Sequence, residues 1–245
     1  MENQYKSINF SMHNESMSGS TAAPKSFGKA FKILLKHQSA TLDALNNEST
    51  QNAYVNENYV WANTDQRRTK FDLEQSLERL AQFSNNGDIE LIHAISSMLE
   101  NNLIKENFTI LDLFGGTGAV SYIIKKSFPK CVSICLDMKY HNNWAEIQSI
   151  YSASDDFHFF QINFFELEKE SKPLNLDIIT TFNTFRGWDN AVGPLVQHKY
   201  TKSKFMNWVK NNSRYFITDR GDVEKYLELL PFDSPFNNLK VAFSK

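Results

Sequence analysis

From residue 108 onward the chain repeats one unit: a short apolar run of strand length, then a longer stretch with helical spacing. The runs are "FTILDLF" (108 to 114), "CVSICLD" (131 to 137), "FHFFQIN" (157 to 163), "LDIITTF" (176 to 182) and "RYFITDR" (214 to 220). Between them lie "AVSYIIKKSF", "NNWAEIQSIY" and "KSKFMNWVKN", whose apolar residues recur at helical intervals. Runs that are apolar at successive positions suit strands buried on both faces. Alternation of such strands with helices demands parallel pairing through right-handed crossovers. The predicted fold class is therefore α/β, a Rossmann-like doubly wound, mostly parallel sheet with a helical N-terminal extension. "VEKYLELL" (223 to 230) predicts one more helix, and "NLKVAF" (238 to 243) a final strand.

Ahead of the repeat the period is different. Residues 1 to 25 are rich in Ser, Asn and small side chains and predict a flexible tail. Phe31, Leu34, Leu35, Leu42 and Leu45 predict a helix over 27 to 47, Phe71 to Phe83 a second, and Ile89 to Leu103 a third. The expected organisation is a tail (1–25), a mainly helical cap or substrate region (26–105) and a cofactor-binding domain (106–245).

Composition removes several classes. A formal charge of -2 and a pI near 6.3 advertise no polyanionic partner. Cys131 and Cys135 are the two cysteines. They fall on one strand, which cannot close a disulfide, and they read as buried thiols of a cytoplasmic protein. No apolar run reaches the roughly 20 residues that span a bilayer, so no membrane role is expected. No histidine or carboxylate spacing suggests a metal, and nothing indicates an oligomer.

The first strand and helix are joined by "DLFGGTGAV". In a doubly wound sheet this turn faces the ligand crevice at the carboxyl ends of the strands. Gly115, Gly116 and Gly118 let the backbone adopt torsions closed to other residues and remove side chains that would keep a ligand away. The helix that follows offers free N–H groups and a partial positive charge of about +0.5. Ser121 stands where a dinucleotide fingerprint wants a third small residue. Asp112 would repel a pyrophosphate and attract a cation.

With these residues in view, "LDLFGGTGAV" resembles motif I of class I S-adenosylmethionine-dependent methyltransferases. The resemblance implies S-adenosyl-L-methionine as cofactor. It also assigns Asp137 to the ribose hydroxyls and Met138 to the adenine face. Asn163 stands where the family often has an Asp that accepts from the adenine amino group, with Phe164 as a stacking partner. Other uses remain open for each: a loop brace for Asp112, a turn residue for Asp137, a core side chain for Met138 and a local backbone cap for Asn163.

In the family, acceptor contacts follow the fourth strand, here "TFNTFRGWDN". Asn183, Thr184, Phe185 and Arg186 replace the Asp/Asn-Pro-Pro-aromatic of amino-base enzymes, which turns the expectation away from N6-adenine or N4-cytosine. Asn183, Arg186 for an anion and Trp188 for a ring or sugar face are the candidate substrate contacts. Asp189 and His198 are the candidate bases, although each also suits a solvated loop. The family usually ends in a hairpin of two strands, whereas one apolar run follows the last helix.

The function expected is methyl transfer to an O or N atom of a small molecule or sugar-containing metabolite. A small-molecule or glycan acceptor is favoured over nucleic acid. RNA or DNA methylation and a non-catalytic binding module are the alternatives, and a nicotinamide-dependent dehydrogenase a more distant one.

Overall fold

The computed structural model describes residues 27–46, 87–115, 118–137, 157–182, 199–219, 223–230 and 239–243. In chain order they form α1 (Phe27–Asn46), α2 (Gly87–Glu100), β1 (Thr109–Leu113), α3 (Ala119–Ser127), β2 (Val132–Asp137) and β3 (Phe157–Gln161). There follow α4 (Phe164–Leu167), β4 (Leu176–Thr181), α5 (Lys202–Asn212), β5 (Ser213–Thr218), a 3-10 turn (Val223–Lys225) and β6 (Lys240–Phe243). The expected tail, the helix over 71 to 83 and the helix at "NNWAEIQSIY" lie outside the described residues.

The strands form one sheet in the order β3-β2-β1-β4-β5-β6. All pairs are parallel except β5 with β6. This is the doubly wound Rossmann-like sheet the alternation predicts, with β1 central and the strand order reversing beside it. Every residue of β1 is buried, which explains why it reads as apolar apart from Thr109 and Asp112. Its side chains serve two cores. Leu111 and Leu113 join Ile134, Leu136, Phe160, Ile179 and Phe216 on the face covered by α1, α4 and α5. Ile110 joins Ile178, Tyr215 and Ile217 on the face covered by α2 and α3.

The connection from β3 to β4 carries only the four-residue α4, too little to cover its side of the sheet. The N-terminal α1 supplies the missing cover. Its Phe27, Ala30 and Leu34 are buried in the first core, and the Phe31 ring meets Phe160 edge-to-face at 5.7 Å. No helix among the described residues is long and apolar enough to cross a membrane.

Two expected helix boundaries change. The helix expected to reach Leu103 ends at Glu100, because Asn102 turns left-handed at φ 56° and the chain reverses. Asn102 N–H donates to Leu99 O and Leu103 N–H to Met98 O, which satisfies the last carbonyls of the helix.

The helix expected over 223 to 230 is also replaced. After the short 3-10 turn the chain extends, and Leu229 forms an antiparallel bridge with Ala242 of β6. Leu230 N–H donates to Val241 O, and Phe243 N–H to Glu228 O. Pro231 biases Leu230 toward extended backbone, so helical spacing alone misleads here. The residues around Leu229 thereby occupy the outer side of β6, where a second hairpin strand was missing from the sequence pattern.

Candidate functional site

The carboxyl ends of β1, β2 and β3 stand side by side. Register places Asp112 opposite Cys135 and Asp137 opposite Gln161. The turn after β1 is tied to its neighbour, since Phe114 N–H and Gly115 N–H both donate to Leu136 O, at 2.8 and 3.2 Å. Phe114 has a left-handed φ of 64°. A bulky residue rarely accepts that conformation, and the two bonds to Leu136 hold it there.

Asp112 lies behind this turn with 2% of its surface exposed. Its Oδ2 accepts from Ser121 Oγ at 3.2 Å, and Ser133 Oγ donates to Ser121 O at 2.8 Å. The acid is therefore a brace between β1 and the first turn of α3, the role left open beside cation attraction. Ser121, not diagnostic of a dinucleotide site from the sequence, is the residue that makes the brace.

Gly115 answers to the same packing. A Cβ there would stand 2.5 Å from Asp112 Oδ2 and 2.6 Å from Cys135 Sγ. The space the glycine leaves is taken from behind by the carboxylate and thiol, a reason distinct from the ligand approach expected of it. Gly118 is required for conformation: its φ is +77°, and a Cβ would also come within 3.1 Å of the Phe159 ring. It precedes Ala119, so the left-handed residue starts α3.

Cys135 is buried between the acids. Burial first, then the charges of Asp112 and Asp137, push its thiol well above the ordinary range, and the Ser121 hydrogen bond pulls the other way. It is a neutral, unreactive thiol at neutral pH, in keeping with the packing role expected of both cysteines. Asp137, by contrast, is only partly buried at the end of β2.

Asn163 follows β3 and begins α4. Its Oδ1 accepts from Phe165 N–H at 3.0 Å, the local cap that was one of its two expected uses. A carboxamide oxygen can accept twice, so this bond and an adenine contact are compatible. Phe164 points into the core at 2% exposure. Its ring packs edge-to-face on Phe114 at 5.3 Å, on Tyr200 at 5.7 Å and on Trp208 at 5.1 Å. The side chain expected to stack on adenine thus anchors α4 and the glycine turn to α5.

The structure therefore gathers Asp112, Gly115, Gly118, Asp137 and Asn163 at one end of the sheet. Gly116, Met138, Asn183, Arg186, Trp188, Asp189 and His198 lie outside the described residues. No group of three or more His, Cys, Asp or Glu able to hold a metal occurs among the described residues. Sequence reasoning missed Gln38 and Thr41 of α1. Gln161 N–H donates to Gln38 Oε1 at 2.9 Å and Asn163 N–H to Thr41 Oγ1 at 3.2 Å. No local signal marks contacts more than 120 residues apart.

No protein-family model matches the chain, and no curated protein matches it. Among solved structures it is similar to a SAM dependent methyltransferase from Aquifex aeolicus, at 15% identity and a TM-score of 0.42, over 71% of this chain and 98% of that one. PKMT2 from Rickettsia typhi, in complex with AdoHcy, matches at 16% identity and a TM-score of 0.35, over 46% of this chain and 21% of its own. Coclaurine N-methyltransferase bound to N-methylheliamine and SAH matches at 13% identity and a TM-score of 0.35, over 54% and 35%. These scores are low, and the fold assignment rests on the strand order and register themselves.

Proposed function

We propose that this protein is an S-adenosylmethionine-dependent methyltransferase, with its cofactor at the carboxyl ends of β1, β2 and β3. The observation that carries the reading is the braced turn: a buried acid behind a left-handed glycine bend that opens α3, with Asp137 at the end of the next strand. Such a bend lets a ligand reach the helix N–H groups, which favour the carboxylate of an amino-acid tail. Asp112 biases the same place toward an ammonium and a sulfonium through the turn that covers it. Asp137 takes the ribose hydroxyls, Asn163 the adenine amino group, and Met138 an adenine face.

For the acceptor we infer a small molecule or sugar-containing metabolite. When bound, S-adenosylmethionine would supply an electrophilic methyl group to a lone pair on the acceptor's O or N, with the neutral thioether as the leaving group. Alignment of these atoms at about 3 Å supplies much of the rate. Any proton released from the acceptor passes to Asp189, His198 or water, while Asn183, Arg186 and Trp188 hold the acceptor. Within 26–105, α1 and α2 build the cores beneath the sheet faces. The Leu229 bridge lies at the strand position left unfilled by the sequence pattern, so an incomplete sheet edge gives no reason to prefer a non-catalytic module.

Calorimetric titration with S-adenosylhomocysteine tests the proposal. Binding by the wild-type protein that is lost in Asp137→Ala supports it. No binding, or binding unchanged by that substitution, removes it.

A further inference from the structure

The β3 edge of the sheet faces α1. Parallel pairing with β2 uses every second backbone group of β3, and Ile162 N–H turns inward to Asp137 O at 3.0 Å. The N–H groups on either side, of Gln161 and Asn163, turn outward. Each meets one side-chain oxygen of α1: Gln38 Oε1 at 2.9 Å and Thr41 Oγ1 at 3.2 Å. Gln38 and Thr41 are three residues apart and share one helix face. Thr41 Oγ1 in turn donates to His37 O at 2.8 Å, which fixes the direction of its lone pairs. Thr41 is 2% exposed and Asn163 7%.

Two observations make this more than edge protection. The bonded N–H groups belong to the last residue of β3 and the cap residue of α4, the point where the chain leaves the sheet beside Asp137. Asn163 is also held from its other side, where its Oδ1 caps Phe165. Its backbone and side chain are thus both constrained, one by α1 and one by α4. A carboxamide fixed in this way presents its oxygen in one direction, and preorganised acceptors discriminate between hydrogen-bond partners far better than mobile ones.

We propose that Thr41 is a positioning residue for nucleobase recognition: through the Asn163 backbone it aims the Asn163 side chain at the 6-amino group of adenine. Gln38 assists by fixing Gln161, two residues earlier. Helix α1 thereby belongs to the cofactor site without touching the cofactor. This inference rests on the cofactor reading above.

The test has a ligand-free arm and a ligand arm, both on the full-length chain. In the first, amide hydrogen exchange is compared in wild-type protein and Thr41→Val. Faster exchange at Asn163 and Phe165, with α5 and β5 unchanged, is expected. Unchanged exchange at Asn163 overturns the proposal whatever the cofactor proves to be. In the second, calorimetry compares S-adenosylhomocysteine with its inosine counterpart, which has a carbonyl in place of the amino group. Thr41→Val is expected to weaken the adenosine form by roughly 3- to 10-fold, the worth of one hydrogen bond, and to leave the inosine form nearly unchanged. Thr41→Ser is expected to restore the preference. Equal weakening of both ligands would reduce Thr41 to a structural residue and overturn the proposal. Should Thr41→Val fail to fold, Gln38→Met provides the same comparison with faster exchange expected at Gln161. Wild-type protein that binds neither ligand, with Asn163 exchange still dependent on Thr41, would locate the failure in the cofactor reading and remove nucleobase recognition with it.

Discussion

Gly115 and Asp112 are packed so closely that a Cβ on the glycine would lie 2.5 Å from Asp112 Oδ2. The pair joins two features of the turn: the residue without a side chain is there because the buried acid is. Gly115→Ala must displace both Asp112 and Cys135, or the turn itself, and both residues are held in the sheet. A loss of about 1–3 kcal/mol in folding stability is expected from the overpacking, measured by urea denaturation. Affinity for S-adenosylhomocysteine is expected to fall with it, since the turn and the brace move together.

Asp112→Asn separates the brace from its charge. The amide can still accept from Ser121, so the fold is expected to persist. A unit charge ~10 Å away at an effective dielectric of ~20 is worth about 1.7 kcal/mol. S-adenosylmethionine carries a sulfonium that S-adenosylhomocysteine lacks. The substitution is therefore expected to weaken the first ligand by roughly 10- to 20-fold more than the second, in parallel calorimetric titrations.

Gly118 makes a conformational prediction. Its φ of +77° costs an L-residue strain in the backbone, and the added methyl would press on Phe159. Gly118→Ala is expected to lower stability by about 1–2 kcal/mol. Helical signal from α3 should be retained, because the strained residue precedes the helix and does not interrupt it. Circular dichroism during denaturation checks both.

One contact of α1, between Lys36 and Glu170, is sensitive to acid. Glu170 is held at a pKa of about 2, down from an ordinary 4.5, chiefly by the hydrogen bond from Lys36, with burial working in the opposite direction. His37 Nε2 lies 3.4 Å from the same carboxylate. A carboxyl depressed in the folded state stabilises it fully above the unfolded pKa, and that contribution drains away as pH falls from about 4.5 toward 2. Melting temperatures of wild-type protein and Lys36→Met are expected to differ most at neutral pH and to converge across that window. A gap that widened on acidification would reverse the assignment.

The sheet was legible in the sequence because its strands are buried on both faces, and burial of that kind writes itself as mostly apolar runs such as "ILDL" and "VSICL", each broken by one polar residue. The glycine turn was legible too, but its internal reason was not. Nothing local says that Cys135 lies behind Gly115, since that contact is made by the register of β1 on β2. The same holds for Thr41 and Asn163, which meet only once α1 has covered the sheet edge left bare by the short α4. "VEKYLELL" misled for a different reason. Its apolar spacing fits a helix as well as a turn followed by an edge strand, and Pro231 was the signal that favours extension at Leu230. Asn163 shows how one residue can carry two expected uses: its side-chain oxygen caps Phe165 and retains a second lone pair for another donor.

The most direct measurement is a crystal structure of the protein with S-adenosylhomocysteine. Adenosyl density is expected over Gly116 and Gly118, with the ribose hydroxyls on Asp137, the adenine amino group at Asn163, and the amino-acid tail toward the start of α3. A ligand bound elsewhere, with the turn after β1 closed over its own backbone, would contradict the proposal at its base.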